Sequence, residues 1–219
     1  MCTVIFDMDG VIVDDNDYHY IAWRKFADNH GLKVPEKVMR DNFGMTNKNY
    51  LTFMFGRELD DEVLFSYEEE KEQIFRDIYK TDMVPVKGLI PLLKQLQAGG
   101  CKLGVATSAP DKNVDYILNG LKIREYFDKV VTASMISKGK PNPEIYYKAA
   151  EILNSEPAGC IVFEDSLHGI DAALGAGMKV IGLSTTHPAE KINKAHLVIK
   201  NFEEIQIRDM KKLIKNMEA

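Results

Sequence analysis

From about residue 83 onward the sequence alternates between helix-like and strand-like segments. Four leucines within residues 89–96 have the i, i+3, i+4, i+7 spacing of one helix face, and helical spacing returns at 114–121, 145–153 and 170–174. Apolar strand-like runs lie between these helices. This alternation predicts an α/β fold with a doubly wound, mostly parallel, Rossmann-like sheet that has helices on both faces. The predicted strands are KLGVA (102–106), KVVTA (129–133), CIVFE (160–164) and KVIGL (179–183).

An N-terminal strand, TVIFD, belongs with this sheet although nearly all the sequence between it and residue 80 is helix-like. We therefore predict a helical cap subdomain inserted into the α/β core, with hinges at 13–15 and 81–85, where turn residues bracket the insertion. In the cap helix that ends near residue 80 we expect an apolar stripe and a solvated acidic face. The stripe would contain Val63, Tyr67, Ile74 and Ile78. The predicted core comprises residues 1–14 and 82–219, and the predicted cap residues 15–81.

Charge and cysteine content limit the classes of binding partner and the cellular compartment that we expect. The formal charge is −5 with basic and acidic residues interspersed, which argues against a nucleic-acid partner and favours a small molecule. The three cysteines lack zinc-site spacing and an obvious pairing, which is typical of a reducing compartment. Since no apolar run approaches the ~18 residues of a membrane span and the start does not look like a signal peptide, we expect a cytoplasmic protein without a membrane partner. Nothing in the sequence demands more than a monomer.

Polar side chains cluster where the predicted strands end or in the loops beside them. In an open α/β sheet the ligand site lies beyond the carboxyl ends of the strands, so we expect these groups to meet there. Several carboxylates, hydroxyls and one ammonium at one point suggest phosphoryl transfer assisted by a divalent cation. The clusters are Asp7 with Asp9, Thr107 with Ser108, Lys140, and Glu164 with Asp165.

Each residue type suits one part of that chemistry. Asp7 is ionised at neutral pH and could attack phosphorus to give an aspartyl-phosphate, while Asp9, on the same side of an extended chain, could act as general acid and base. Magnesium prefers oxygen ligands, which Asp7, the Asp9 carbonyl and Asp165 would supply. Lys140 would add a fixed positive charge as the transition state forms. Thr107 would hold a phosphoryl oxygen, with support from Ser108.

Taken singly, these features have ordinary explanations. Two acids after a strand are often a turn with a helix cap, a Thr-Ser pair before a helix is often an N-cap, and a lone lysine is usually on the surface. Their joint occurrence, in order and each at a strand end or loop, favours a site.

The motifs DMDGV, ATS, GKPNPEIY and FEDS, in that order, resemble the four signature motifs of the haloacid dehalogenase superfamily of phosphohydrolases. The resemblance implies that Asp7 is the nucleophile, Asp9 the acid/base, and Thr107 and Lys140 phosphate binders. It also implies a magnesium site that includes Asp165, with Glu164 beside it.

The insertion resembles the C1 cap of that superfamily, and DGVIVDDNDYHYIAW is similar to its β-phosphoglucomutase-like subgroup. In that subgroup the residue corresponding to His19 lies at the cap entrance and helps to position the acid/base. Trp23 also fits the subgroup, although His19 could be a partly exposed helix residue and Trp23 ordinary cap packing.

Two departures favour a phosphatase over a mutase. Phe43 and Asn47 stand where the resemblance places a lysine and an arginine in the mutases, and only Lys48 and Arg40 are nearby. Asp15 stands where a threonine or serine is usual, so an extra acid would change how Asp9 is held in the open form. We therefore expect a phosphatase for a small phosphorylated metabolite, such as a sugar phosphate, with a β-phosphoglucomutase-type mutase as the alternative.

A phospho-receiver or non-catalytic binding protein is an alternative of another class. Receiver domains also place acids, a hydroxyl and a lysine on a doubly wound sheet. Against this, the DxDG pair ends the first strand here, and a receiver lacks an inserted cap of this size.

Overall fold

The computed structural model describes residues 2–42 and 45–215. The strands are β1 (Thr3–Phe6), β2 (Lys102–Ala106), β3 (Lys129–Val131), β4 (Cys160–Glu164), β5 (Lys179–Leu183) and β6 (Leu197–Ile199). The α-helices are α1 (Asn16–Asn29), α2 (Glu36–Asp41), α3 (Asn47–Phe55), α4 (Asp61–Tyr79), α5 (Leu89–Ala98), α6 (Asp111–Gly120), α7 (Glu144–Ile152), α8 (Leu167–Gly175) and α9 (Ile207–Lys215).

The strands form one sheet in the order β3-β2-β1-β4-β5-β6, and each neighbouring pair is parallel. The predicted α/β fold is confirmed, as are the predicted strands. The short edge strand β6 was not predicted, because three apolar residues give too little pattern to identify a strand. β1 lies at the centre, where the strand order changes direction between β1 and β4. Such a switch point opens a crevice at the carboxyl ends of the strands.

The core lies on both faces of the sheet, as the central strand illustrates. Val4 and Phe6 pack in one apolar cluster, and Ile5 packs in the other. Successive side chains of a strand point to opposite faces, so a strand covered on both sides must be apolar at every position. This explains why TVIF is an uninterrupted apolar run rather than an alternating one.

Helices α1–α4 form a layer over the carboxyl end of the sheet, with an apolar cluster of their own around Trp23 and Phe26. This layer also shares Ala22, Phe75 and Tyr79 with the main core. Its two connections to the core lie side by side, since Val13 forms a bridge with Pro85. The exact division at residues 15–81 stays a prediction.

The expected stripe on α4 is confirmed in part. Tyr67, Ile74 and Ile78 are half-buried and pack against the apolar clusters. The fully buried residues of the helix are Lys71, Glu72, Phe75 and Tyr79. Two charged residues therefore occupy the inner face of this helix. Within the described residues, no helix combines the length and apolar character needed to span a membrane.

Candidate active site

A cavity with about 590 Å³ of empty space, part of it open to solvent, lies between the carboxyl ends of the central strands and the layer formed by α1–α4. Most of the predicted site residues line it, with Lys140 and Glu164 directly behind Asp7. The cavity wall includes Asp7, Asp9, His19, Thr107, Ser108 and Asp165 among its lining residues. The sequence therefore placed these groups correctly at one point in space.

Lys140 is buried between two carboxylates. Its Nζ lies 3.0 Å from Asp7 Oδ1 and 2.5 Å from Glu164 Oε1, and 5.3 Å from the centre of the Tyr146 ring. Burial disfavours its charge, but Asp7 and Glu164 raise the pKa of Lys140 well above its usual value. Lys140 is therefore a fixed cation rather than a surface lysine.

Glu164 fixes the position of that cation. Its Oε1 accepts hydrogen bonds from Lys140 and Tyr146, and its Oε2 accepts from the backbone N–H groups of Asp165 and Ser166. Although burial disfavours its charge, Lys140 and these donors hold the pKa of Glu164 below its usual range. Gly169 lies against this carboxylate, where an added Cβ would overlap it, so the first turn of α8 can approach only as glycine.

Three acids crowd together at the ends of β1 and β4. Oxygen atoms of Asp7, Glu164 and Asp165 lie within 4.8 Å of one another. Burial, with Glu164 and Asp9 adding to it, raises the pKa of Asp7 to about 8 despite the nearby Lys140. Burial also raises the pKa of Asp165, and Glu164 and Asp7 raise it further. Lys140 therefore does not balance the negative charge of the cluster. Without a bound cation Asp7 would be mostly protonated at neutral pH, so the expectation of a fully ionised Asp7 is wrong for the protein alone.

This cluster fits a divalent cation. Asp165 Oδ1 is buried and has no hydrogen-bond partner among the described residues, and hard carboxylate oxygens are the ligands that magnesium prefers. Glu164 belongs to the cluster too, but its oxygens already accept several hydrogen bonds. The carboxylates of Asp7 and Asp165 are thus the better-suited ligands.

The other oxygen of Asp165 is held by residues that sequence reasoning missed. Thr186 donates to Asp165 Oδ2, and Asn16 Nδ2 lies 2.6 Å from Thr186 Oγ1 and 3.5 Å from Asp165 Oδ2. Gly10 has φ +77°, and an added Cβ there would overlap the Asp165 carboxylate and Asn16. Thr186 follows β5, so only its position at a strand end could have indicated it.

A second polar group surrounds Asp9. His19 Nε2 lies 3.7 Å from Asp9 Oδ1 and 3.6 Å from Asp15 Oδ2, while His19 Nδ1 lies 2.7 Å from Lys71 Nζ. Although burial and Lys71 oppose its charge, Asp15 and Asp9 raise the pKa of His19 to about 9, so its Nε2–H faces the two carboxylates. Asp15 is buried, and burial together with Asp9 raises its pKa to about 7. Lys71 gave no signal in the sequence because it follows a run of glutamates.

Thr107 and Ser108 directly follow β2 and line the cavity wall. Thr107 is buried and its Oγ1 accepts a hydrogen bond from the Ala109 backbone N–H at 3.0 Å. The N-cap of the following helix α6 is Pro110, so this pair does not have the N-cap role that a Thr-Ser sequence often has. Both residues line the same cavity as Asp7 and Asp165.

The cap side of the cavity is formed by aromatic and polar residues. Trp23 stacks on Tyr50 with ring centres 4.4 Å apart, and Asn47 also lines the cavity. Of the cations named from the sequence, Arg40 pairs with Asp17 at 2.8 Å, and Lys48 lines a neighbouring groove instead. Phe43 and Gly44 of the predicted cap loop lie outside the described residues.

Comparisons with known proteins agree with this geometry. Residues 4–183 match the family model described as haloacid dehalogenase-like hydrolase. The chain is 33% identical over 209 residues to validoxylamine A 7′-phosphate phosphatase of Streptomyces hygroscopicus subsp. limoneus, covering 92% of this chain and 94% of that protein. It is 32% identical over 185 residues to phosphorylated carbohydrates phosphatase of Thermotoga maritima, covering 83% and 84%. The crystal structure of β-phosphoglucomutase from Clostridium difficile has a TM-score of 0.88 at 30% identity and covers 99% of both chains.

Proposed function

Because this chain belongs to the haloacid dehalogenase-like hydrolase family, we propose that it is a magnesium-dependent phosphatase acting on small phosphorylated metabolites, with sugar phosphates as the substrate class. The observation that carries the proposal is the buried Lys140 ammonium, which lies between Asp7 and Glu164 at the carboxyl edge of the sheet. The names of two relatives, a validoxylamine phosphate phosphatase and a phosphorylated carbohydrates phosphatase, support the substrate class.

Asp7 is the nucleophile in this proposal. Its carboxylate attacks phosphorus, the bond from phosphorus to the leaving oxygen breaks, and an aspartyl-phosphate forms. Water then attacks the phosphorus of that acyl phosphate, the bond from phosphorus to the Asp7 oxygen breaks, and inorganic phosphate leaves the regenerated carboxylate. Lys140, 3.0 Å from Asp7 Oδ1, provides positive charge close to the oxygens on which negative charge develops.

Asp9 is the general acid and base. Its side chain is 24% exposed, towards a cavity that it lines, so it can reach both the leaving oxygen and the incoming water. It donates a proton to the departing alcohol and then accepts one from the attacking water. On the cap side His19 lies between the carboxylates of Asp9 and Asp15, and this arrangement supports a positioning role for His19 and Asp15.

Asp7, Asp165 and the main-chain carbonyl of Asp9 are the proposed magnesium ligands. When bound, the ion offsets the repulsion between the carboxylates and the phosphoryl oxygens of the substrate. Thr107 and Ser108 are proposed to bind the phosphoryl oxygens. We assign Glu164 to the fixation of Lys140, and helices α1–α4 to the exclusion of bulk water.

A β-phosphoglucomutase-type activity is the second candidate, favoured by the likeness to the Clostridium difficile enzyme. A mutase must bind a sugar bisphosphate, and therefore needs positive charge at both ends of its site. In the part of the chain that the structure describes, the cavity wall offers one cap lysine, Lys71, and that lysine is already paired with Glu72. This favours hydrolysis.

The test is a panel of sugar and nucleotide phosphates assayed for free phosphate with and without magnesium. We expect magnesium-dependent release from sugar phosphates, complete loss of turnover in Asp7→Asn, and full activity in Asp171→Asn, which alters a surface ion pair. Persistent activity in Asp7→Asn would refute the assignment of Asp7 as the nucleophile. Conversion of β-glucose 1-phosphate to glucose 6-phosphate, primed by a bisphosphate, would establish the mutase instead. Phosphorylation of the chain without turnover would indicate a receiver.

A further inference from the structure

Glu72 is a buried carboxylate in the cap wall of the cavity. Its Oε1 accepts hydrogen bonds from Lys71 at 2.9 Å and Asn47 at 2.8 Å, and its Oε2 accepts one from Asn113 at 2.5 Å. Burial opposes its charge, but Lys71, His19 and these donors lower the pKa of Glu72 to about 2. A phosphatase cavity, which must accept an anion, therefore contains an ionised carboxylate outside the cluster around Asp7.

Lys71 is the partner that this carboxylate neutralises. Its ammonium is 1% exposed, contacts His19, and lies 4.9 Å from the centre of the Trp23 ring. Among the described residues that line the cavity, it is the one lysine or arginine. Because Glu72 cancels its charge, the cap wall has no net charge from this pair.

Other cations do not replace it. His19 lines the cavity, but its Nε2 faces the carboxylates of Asp9 and Asp15. Arg40 is bound to Asp17, Lys112 is bound to Glu69 at 2.8 Å, and Lys48 lines the neighbouring groove. A substrate whose phosphate lies on Asp7 would thus extend its leaving group towards a wall of aromatic rings and the side-chain amide of Asn47.

We propose that Glu72 is a specificity-determining residue that selects phosphate monoesters with an uncharged leaving group and rejects those with a second anionic group. This inference rests on the proposed phosphatase function and names the substrate class within it. Hydroxyl groups can exchange hydrogen bonds with water for bonds to the amide of Asn47. A second phosphate or a carboxylate would lose its hydration and meet Glu72 without a free counter-charge, which is costly in a buried site.

Glu72 also joins the cap to the core, because Asn113 belongs to α6 and Arg76 of α4 donates to the same Asn113. A purely structural role would make every substrate bind more weakly by a similar factor. A role in specificity changes the ratio between charged and uncharged ligands. The ratio is therefore the quantity to measure.

The matched probes are sorbitol 6-phosphate and 6-phosphogluconate, which differ at the far end by a hydroxymethyl group and a carboxylate. Each is used as a competitive inhibitor of p-nitrophenyl phosphate hydrolysis with magnesium present. For the wild-type enzyme we expect sorbitol 6-phosphate to bind at least about tenfold more tightly. Equal inhibition constants, or inhibition by neither, would overturn the inference while p-nitrophenyl phosphate hydrolysis still supports a phosphatase. No hydrolysis of p-nitrophenyl phosphate or of the panel would overturn the proposed function and this inference together.

Three variants separate charge from structure. Glu72→Gln leaves Lys71 unpaired and should reduce the ratio about tenfold, mainly through tighter 6-phosphogluconate binding. Lys71→Gln leaves Glu72 unpaired and should increase the ratio. Because the two variants change the ratio in opposite directions, either one alone tests the proposal if the other fails to fold. Tyr116→Phe removes a hydrogen bond between α6 and Arg76 of α4 without touching Glu72 and should leave the ratio unchanged. Parallel changes in both inhibition constants for Glu72→Gln and Lys71→Gln would show a structural role and refute the proposal.

Discussion

Asp7→Asn is expected to abolish activity and at the same time to stabilise the metal-free protein. The pKa of Asp7 is raised from 3.8 in the unfolded chain to about 8 in the folded protein. An acid with a raised pKa favours the folded state at low pH and disfavours it increasingly as the pH rises from about 4 to about 8. At neutral pH the penalty is at most ~4 kcal/mol, since each unit of pKa shift corresponds to ~1.4 kcal/mol. The asparagine keeps the shape of the side chain but has no charge to desolvate.

The net gain is smaller than that limit, because asparagine places an amide N–H₂ donor in a buried site beside the Lys140 ammonium, 3.0 Å from the present carboxylate oxygen. We expect a gain of about 1–3 kcal/mol at neutral pH, with about 2–4 °C in Tm for each kcal/mol in a chain of this size. The measurement is thermal unfolding of wild type and variant in EDTA across the pH range. The gap should narrow as the pH falls and close below about pH 3, where Asp7 is protonated in both states.

Saturating magnesium should reverse the order, because the wild type gains the binding free energy of the ion and the variant binds the ion more weakly. A variant that is less stable than wild type at neutral pH in EDTA would refute the reasoning, since Asp7 would then be balanced by Lys140 alone. A gap that does not change with pH would show that packing, and not charge, is responsible.

Three other perturbations test the same cluster. Lys140→Met should abolish phosphate release and lower the free energy of unfolding by about 3–5 kcal/mol in urea titrations, because it leaves two buried carboxylates without their cation. An unchanged free energy of unfolding would show that Lys140 does not stabilise these carboxylates. Gly10→Ala should abolish magnesium binding, followed by calorimetry, because its Cβ would overlap Asp165 at a positive φ; a variant with native magnesium affinity would contradict this. Chelation should reduce phosphate release to background and added magnesium should restore it, whereas activity that persists after dialysis against EDTA would exclude a metal requirement.

The core side of the site could be predicted because its residues lie where parallel strands end. Asp7, Thr107 and Asp165 each come directly after a buried apolar strand, and parallel strands end at the same edge. Lys140 was predicted from its motif, although only the structure shows that it lies between two carboxylates. The fold class needed no more than the alternation of helical and strand periodicity.

The cap side could not be predicted in the same way. Lys71 and Glu72 follow EEE on a helix, and in sequence they look the same as residues on a solvated face. Their burial depends on the packing of α4 against α1 and on Asn113 from α6, a partner forty-one residues away. Periodicity reports local geometry, so it cannot identify a charge pair whose environment is assembled by distant segments.

Two buried lysine–carboxylate pairs thus lie at opposite ends of the cavity and have different consequences. At the core end, Lys140 shares its charge between Glu164 and Asp7, and a carboxylate excess remains that a proton or a bound cation must balance. At the cap end, Lys71 and Glu72 balance each other, so this pair offers no free positive charge to an anion. On our proposal, positive charge for a phosphate is therefore available at the core end once a divalent cation is bound beside Lys140. We expect a substrate with one phosphate to bind in one orientation, with its phosphorus facing Asp7.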